Sequence, residues 1–96
     1  MAYRGSRRSQ SDLTEIYLHG AAEFGRAQSE AYVRALREAL DFLAVHLHAG
    51  RDRTELARPI RTHPHRAHVI VYRVSDDSSI LVVRILHSRQ DLPCRI

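Results

Sequence analysis

Two apolar stretches near the C-terminus dominate the hydrophobic pattern of the chain. The first covers residues 67–74 and the second covers residues 80–87, and five polar residues lie between them. Short apolar runs rich in Val and Ile, separated by a polar turn, are typical of paired strands. The pattern therefore predicts a β-hairpin at the centre of a small sheet. The second strand continues into a polar tip at residues 87–91, where we look first for function.

The register of this hairpin follows if Asp76 and Asp77 form its turn. One face of the sheet would then be buried by three cross-strand pairs: Tyr72 with Leu81, Ile70 with Val83, and His68 with Ile85. The opposite face would carry Val69, Val71, Arg73, Ile80, Val82, Arg84 and Leu86. Because both faces are apolar, the second face requires another layer of the protein or a partner. We favour a sheet face that a partner covers.

Two amphipathic helices are predicted before the sheet. Residues 6–24 place Leu13, Ile16, Tyr17 and Ala21 on one face, and Ser6 or Ser9 can cap the first turn. Residues 26–48 carry a longer leucine-rich stripe. Gly25 is the natural break between them and Gly50 ends the second helix, so we expect an antiparallel helix hairpin whose apolar faces cover the sheet.

The remaining segments complete the predicted order of elements. Residues 2–5 can form a brief edge strand, and residues 51–55 are expected to be a charged loop. Residues 55–62 are a candidate edge strand, limited by Pro59, and residues 63–66 are expected to turn. The order is β-α-α-β-β-β. The chain is thus expected to be one α+β domain over residues 1–96, with a helix hairpin packed on a small, mainly antiparallel sheet.

Charge and composition narrow the classes of partner. The 96-residue chain has a net charge of +4, and all fifteen of its basic residues are Arg. Without Lys, no lysine can act as a base or form a Schiff base. The positive balance suits an acidic partner, either nucleic acid or an acidic protein segment. The lone Cys94 fits a reducing compartment, and the absence of a signal-peptide pattern or a membrane span leads us to expect a cytoplasmic protein.

Seven histidines raise the question of a metal site. The close pairs are His46 with His48 and His63 with His65, and neither has a Cys or carboxylate at a recognised ligand spacing. We interpret them as surface and turn residues and expect no metal. With no Trp and only six aromatic residues, the chain is also expected to bind no cofactor.

The polar tip contains the most suggestive chemistry. In an extended chain His87, Arg89 and Asp91 project from the same face, so an imidazole, a cation and a carboxylate would lie together. Together with Arg61, Arg66 and Arg84 they could cleave RNA without a metal. The interpretation we favour is that His87 caps the sheet and that Arg89 and Asp91 contact a partner, because spacing alone does not establish catalytic geometry.

Several segments in sequence order resemble one family. They are Asp12-Leu13 with Ile16-Tyr17, Phe24-Gly25 with Gln28, Ala31 and Tyr32, then Leu43 and Gly50-Arg51, then residues 68–73 and residues 83–91. The last stretch is similar to the ending R-I-L-H-x-R-x-D of the ParE branch of the ParE/RelE toxins. These are the toxins of bacterial type II toxin–antitoxin pairs, and the resemblance covers about 80 residues.

The resemblance implies a small α+β toxin that inhibits DNA gyrase without being an enzyme. It also implies a ParD-like antitoxin that binds the toxin as a hetero-oligomer and neutralises it. We expect gyrase contacts at Arg84, His87, Arg89 and Asp91. We expect antitoxin contacts at Leu13, Tyr17, Val69, Val71 and Val82.

Two other functions stay open. A RelE-like, ribosome-dependent mRNA endonuclease would use Arg61, Arg84, His87 and Arg89. The lack of Lys, and of any Tyr after Tyr72, counts against it. The third possibility is a module that has lost its toxicity and only binds its partner.

Overall fold

A computed structural model describes residues 3–56 and 58–90. Two helices pack on one face of a five-stranded sheet, so the predicted α+β fold with two layers is confirmed. The elements are β1 (Tyr3–Gly5), α1 (Arg7–Phe24), α2 (Arg26–Val45), β2 (Arg51–Asp52), a 3₁₀ turn (Thr54–Leu56), β3 (Arg61–His65), β4 (His68–Val74) and β5 (Ile80–His87). The strand order is β1-β5-β4-β3-β2. The sheet is antiparallel apart from β1, which runs parallel to β5.

The helix hairpin forms as the sequence predicts. Ser6 caps α1 by accepting a hydrogen bond from the amide of Ser9. Gly25, with a φ of 95°, is the single residue between the helices, and its left-handed backbone suits glycine. Gly20 allows the helices to approach closely, since a Cβ there would lie 2.6 Å from Ser29 Oγ. α2 ends at Val45, three residues before the predicted end.

The main core lies between the helices and the sheet. Three fully buried leucines of α2 supply its helical side: Leu36, Leu40 and Leu43. Five residues of β4 and β5 supply the other side: Ile70, Tyr72, Ile80, Val82 and Ile85. The leucine-rich stripe predicted from the sequence therefore faces the sheet, as expected.

The predicted register of the hairpin was wrong. Tyr72 pairs with Val82, and further along the strands Val71 pairs with Arg84, so β5 holds one additional residue, Val83, between these pairs. Such a β-bulge reverses the alternation of side chains beyond it. As a result Leu81 and Val83 leave the predicted core face. Ile80 and Val82, which the sequence pattern placed on the opposite face, lie in the core instead, whereas Ile85 faces the core as predicted.

The second face of the sheet is covered in part by the chain itself. Val71 and Leu86 are buried there against Ile60, with Leu56 packed beside them. The expectation that a partner must cover this face was therefore wrong for Val71 and Leu86. The segment before β3 provides the cover, because its short 3₁₀ turn and Ile60 act as the second layer that the sequence pattern did not reveal.

The boundaries around β3 also differ from the prediction. Arg51 and Asp52 form β2 rather than a loop, and of the strand predicted over 55–62 only Arg61 and Thr62 belong to a strand. β3 extends through the predicted turn, including Pro64, which is tolerated because β2 pairs only with the first two residues of β3. The turn itself is reduced to Arg66 and Ala67, because His65 pairs directly with His68.

Ser6 links the first helix to the bulge. Its hydroxyl caps α1 and donates to the carbonyl oxygen of Val83 at 2.7 Å. Ser6→Ala removes both bonds, and we expect it to lower the free energy of unfolding by about 1–2 kcal/mol. Urea denaturation measures this, with the exposed Ser11→Ala as the control. A loss no greater than that of Ser11→Ala would contradict the role of Ser6.

Candidate functional site

Local hydrogen bonds hold the polar tip at the end of β5. The amide of Gln90 donates to the carbonyl of His87 at 2.9 Å, and the amide of His87 donates to Gln90 Oε1 at 2.8 Å. The amide of Ser88 donates to the carbonyl of Ala67, which ties the tip to the β3–β4 turn. Residues 88–90 therefore turn back rather than continue the strand. The extended geometry assumed for the tip was wrong.

His87 and Arg89 remain exposed at this tip. The Nδ1 atom of His87 accepts a hydrogen bond from the amide of Arg89 at 3.2 Å. In this arrangement Nδ1 carries no proton, so the neutral ring carries its proton on Nε2. Asp91, the third predicted member of the tip, lies outside the described residues.

A row of imidazoles crosses the sheet beside the tip. The register places His65, His68 and His87 side by side on β3, β4 and β5. The rings of His68 and His87 meet edge to face with centroids 5.5 Å apart. We call these three residues the histidine row.

Tyr32 of α2 packs on the histidine row. Its hydroxyl lies 2.6 Å from His68 Nδ1, and its ring makes an edge contact with His65 at 5.8 Å between centroids. Burial raises the pKa of Tyr32. Burial also lowers the pKa of His68, as do the neighbouring His87 and other imidazoles. Both pKa shifts favour the uncharged forms, in which the Tyr32 hydroxyl and His68 Nδ1 share a hydrogen bond.

His65 is the most constrained member of the row. Its Nε2 atom is buried without a hydrogen-bond partner among the described residues. Burial, followed by the charge of Arg66 and the nearby His63, lowers the pKa of His65. Like His68, it is uncharged near neutral pH in the folded protein.

Arg84 joins the sheet to the first helix. Its Nε and Nη2 atoms donate to the two carboxylate oxygens of Asp12 at 2.8 and 3.0 Å, and both side chains are only 12% exposed. Asp12 also accepts from the amide of Ile85 at 2.9 Å. The hydrogen bonds that Arg84 donates to Asp12 raise the pKa of Arg84. Arg84, expected at the target-facing surface, is thus held inside the fold.

Arg61 lies at the other end of the sheet from the tip. It donates to the carbonyl of Gly50 at 2.7 Å and lies 3.8 Å from the Asp52 carboxylate. Its partner in β4 is Tyr72, four residues from His68, so the two positions are roughly 13 Å apart along the strand. The four residues expected for ribonuclease chemistry therefore do not converge on one site.

In the described part of the chain three grooves open along α1, and the smallest, of about 290 Å³, is lined by both Arg84 and His87. The first, between β1 and the helices, has a volume of about 610 Å³. Leu13 and Tyr17 form part of its wall and the buried Val82 lies at its base. Three of the five expected antitoxin-binding residues therefore come together here. Val69 and Val71 belong to the opposite face of the sheet, and Val71 is fully buried there.

The second groove, of about 560 Å³, is lined by His68 and His87 of the histidine row, and we call it the histidine groove. Its apolar wall includes Phe24, which is 62% exposed, and its polar rim includes Arg66 and His87. Sequence reasoning missed this site, because Tyr32 comes from α2 and the histidines of its lining come from α1, β4 and β5. The one local signal was the short spacing between His65 and His68.

A metal centre and a membrane span are two further kinds of site on which the described part of the chain bears. No three His, Cys, Asp or Glu side chains of residues 3–56 and 58–90 are grouped so that they could hold a metal ion. Within the same residues, neither helix is long and apolar enough to span a bilayer.

The arrangement of helix hairpin and sheet is that of the ParE/RelE-like α+β proteins. The structure superimposes with a TM-score of 0.78 on a chain described as "Chromosomal ParDE TA system from P. aeruginosa". The two sequences are 22% identical, and the match covers 91% of this chain and 95% of the other. At this identity the similarity establishes the fold.

Sequence comparison then identifies the family. The model of the family described as "ParE toxin of type II toxin-antitoxin system, parDE" matches residues 3–92. Toxin ParE1 of Mycobacterium tuberculosis is 34% identical over 90 residues, covering 94% of this chain and 92% of that protein. Toxin ParE1 of Caulobacter vibrioides is 31% identical over 85 residues, covering 88% and 86%. The chain belongs to the ParE toxin family.

Proposed function

We propose that this toxin inhibits DNA gyrase by binding it through the tip at His87, Arg89 and Asp91. The observation that carries the proposal is the family match, which spans residues 3–92 and includes the tip. The exposure of His87 and Arg89 supports it, because a protein inhibitor needs an accessible contact surface. An exposed Arg is also a frequent anchor in protein interfaces.

The dispersal of the candidate catalytic residues favours an inhibitor over a ribonuclease. Arg84 is engaged by Asp12, and Arg61 is engaged by the carbonyl of Gly50. RNA cleavage requires an acid, a base and a phosphate-binding cation around one scissile bond. His87 and Arg89 by themselves supply only part of such a set.

We further propose that a ParD-like antitoxin occupies the first groove and forms a hetero-oligomer with the toxin in the cytoplasm. The groove offers apolar surface at Leu13 and Tyr17, above Val82, to an amphipathic segment. The net charge of +4 favours an acidic partner. The related Pseudomonas protein bears the description ParDE, which supports a partner of this type.

Parallel assays test the choice of target. Purified toxin is added to a gyrase supercoiling reaction and to a translating ribosome extract. The proposal expects supercoiling to be inhibited while the mRNA remains intact. Cleaved mRNA with unaffected supercoiling would overturn it in favour of an endonuclease, and no effect in either assay would favour a partner-binding module without toxicity.

Arg89→Ala is expected to raise the toxin concentration required for half-inhibition of gyrase by about tenfold. The guanidinium is exposed, so its loss removes a contact to the target without disturbing the core. Antitoxin binding and thermal stability should be unchanged. Arg34→Ala, which removes an exposed charge from α2, is the matched control. Equal inhibition by the two variants would contradict the contact at Arg89.

A further inference from the structure

The histidine groove combines an apolar wall with a polar rim. Phe24, Ile16 and Ala31 contribute to the wall, and both Phe24 and Ala31 are exposed. The rim holds Arg66 and the rings of His68 and His87. A site of this composition suits a ligand with an apolar part and a neighbouring anionic group.

Arg66 occupies its position at a conformational cost. Its φ is 54°, in the left-handed region that Gly, Asn and Asp adopt most readily. It forms half of the two-residue turn between β3 and β4, where one of those residues would be less strained. The guanidinium of Arg66 lies 5.9 Å from the centre of the Tyr32 ring, at the rim of the groove. Strain of this kind is common where a side chain is needed for binding.

The groove suits a protein segment better than a nucleic acid. Nucleic-acid sites present several cations at phosphate spacing, whereas the lining here contains one Arg, Arg66, and also the carboxylate of Glu23. The other titratable groups of the lining are Tyr32, whose hydroxyl is engaged by His68, and imidazoles such as the exposed His87, whose free ring N–H can donate a hydrogen bond to a single carboxylate. The apolar wall at Phe24 supplies no positive charge for a phosphate backbone.

We propose that the histidine groove binds a segment of the antitoxin that packs an apolar side chain against Phe24 and places a neighbouring carboxylate between Arg66 and His87. This inference rests on the proposed function, to which it adds a second anchor point beside the first groove. Arg66 supplies the charged partner for the carboxylate, and an Arg–carboxylate pair can form two parallel hydrogen bonds. The excess of positive charge on the chain favours the same acidic partner.

The histidine groove lies beside the tip, so an antitoxin segment bound there would affect how the tip reaches its target. His87 lines the groove and also begins the tip that carries Arg89. A segment bound in the groove would cover one side of this tip. The antitoxin would therefore block the toxin by occupying the surface that its target needs.

Titration calorimetry with the full-length antitoxin encoded beside the toxin gene tests the inference. Arg66→Asn is expected to weaken binding by about tenfold while raising the melting temperature by a few degrees, because Asn accepts the left-handed conformation more readily. Arg34→Gln controls for the loss of one positive charge. A structural role for Arg66 predicts the reverse pattern, with lower stability and unchanged affinity.

The apolar part of the groove is tested separately. Ala31→Leu should fill the groove and weaken binding by about tenfold at unchanged stability, whereas Ala22→Leu on the exposed side of α1 should bind normally. Wild-type affinity in either Arg66→Asn or Ala31→Leu would overturn the inference and leave the proposed function intact. An antitoxin that does not bind the wild-type toxin at all would contradict the proposed function itself.

Discussion

Asp12→Asn is expected to destabilise the protein by about 3 kcal/mol, the largest effect among the single substitutions considered for this chain. Asp12 accepts two hydrogen bonds from Arg84 and a third from the amide of Ile85. Asn keeps the shape of the side chain but removes its charge, and the NH2 group that replaces one carboxylate oxygen cannot accept from the guanidinium. A largely buried Arg84 then loses its carboxylate, and an uncompensated charge in such a position is costly.

Thermal unfolding measures the effect. For a domain of this size, the loss should lower the melting temperature by roughly 15 °C. Asp76→Asn, at the exposed tip of the β4–β5 hairpin, is the matched control and should change little. Replacing both partners, as in Asp12→Leu with Arg84→Met, should cost less than the sum of the single changes, because no charge is left unpaired. Additive losses would contradict a direct ion pair.

Gly50→Ala is expected to cost about 2 kcal/mol, the second largest effect, because it overpacks a filled core. A Cβ at Gly50 would lie 2.6 Å from the Tyr72 hydroxyl oxygen and 3.0 Å from the carbonyl oxygen of Thr62. Tyr72 is fully buried, and its hydroxyl both accepts from the Gly50 amide and donates to the carbonyl of Leu47. An added methyl group therefore displaces a core side chain and breaks both hydrogen bonds.

Chemical denaturation of Gly50→Ala tests this close contact. Ala49→Gly, at the exposed neighbouring residue, changes one methyl group without touching Tyr72 and serves as the control. The Gly50 variant should unfold at a clearly lower denaturant concentration with an unchanged slope. A midpoint equal to that of the control would show that Tyr72 can move aside freely.

The sequence predicted the helices well because their signals are local. Ser6 starts α1, Gly25 separates the helices, and the stripe through Leu36, Leu40 and Leu43 marks the buried face of α2. It also predicted the hairpin of β4 and β5 as the centre of the sheet. Capping residues and 3.6-residue periodicity act within a few positions of each other, so a single sequence is sufficient to read them.

The register could not be predicted in the same way. Both faces of β5 are apolar, so the side-chain pattern gives no sign of the additional residue at Val83. The bulge places Arg84 opposite Val71, and the Arg84 side chain forms its ion pair with Asp12 on α1. A residue expected at the functional surface is therefore structural, for a reason that lies in another element of the chain.

The candidate site was predicted only in part. The tip at His87 and Arg89 was found because polar residues follow directly after an apolar strand. The histidine groove was not found, since it brings Tyr32, Arg66 and His68 together from separate elements. Only the two-residue turn at Arg66 and Ala67 aligns His65 with His68, and the sequence pattern favoured a longer turn.

Reversal of gyrase inhibition by the antitoxin tests the central claim most directly. A supercoiling reaction is first inhibited by the purified toxin, and the antitoxin is then titrated into it. The proposed function predicts that inhibition occurs and that supercoiling recovers as the antitoxin saturates the toxin. Full supercoiling at a large excess of toxin, before any antitoxin is added, would contradict it.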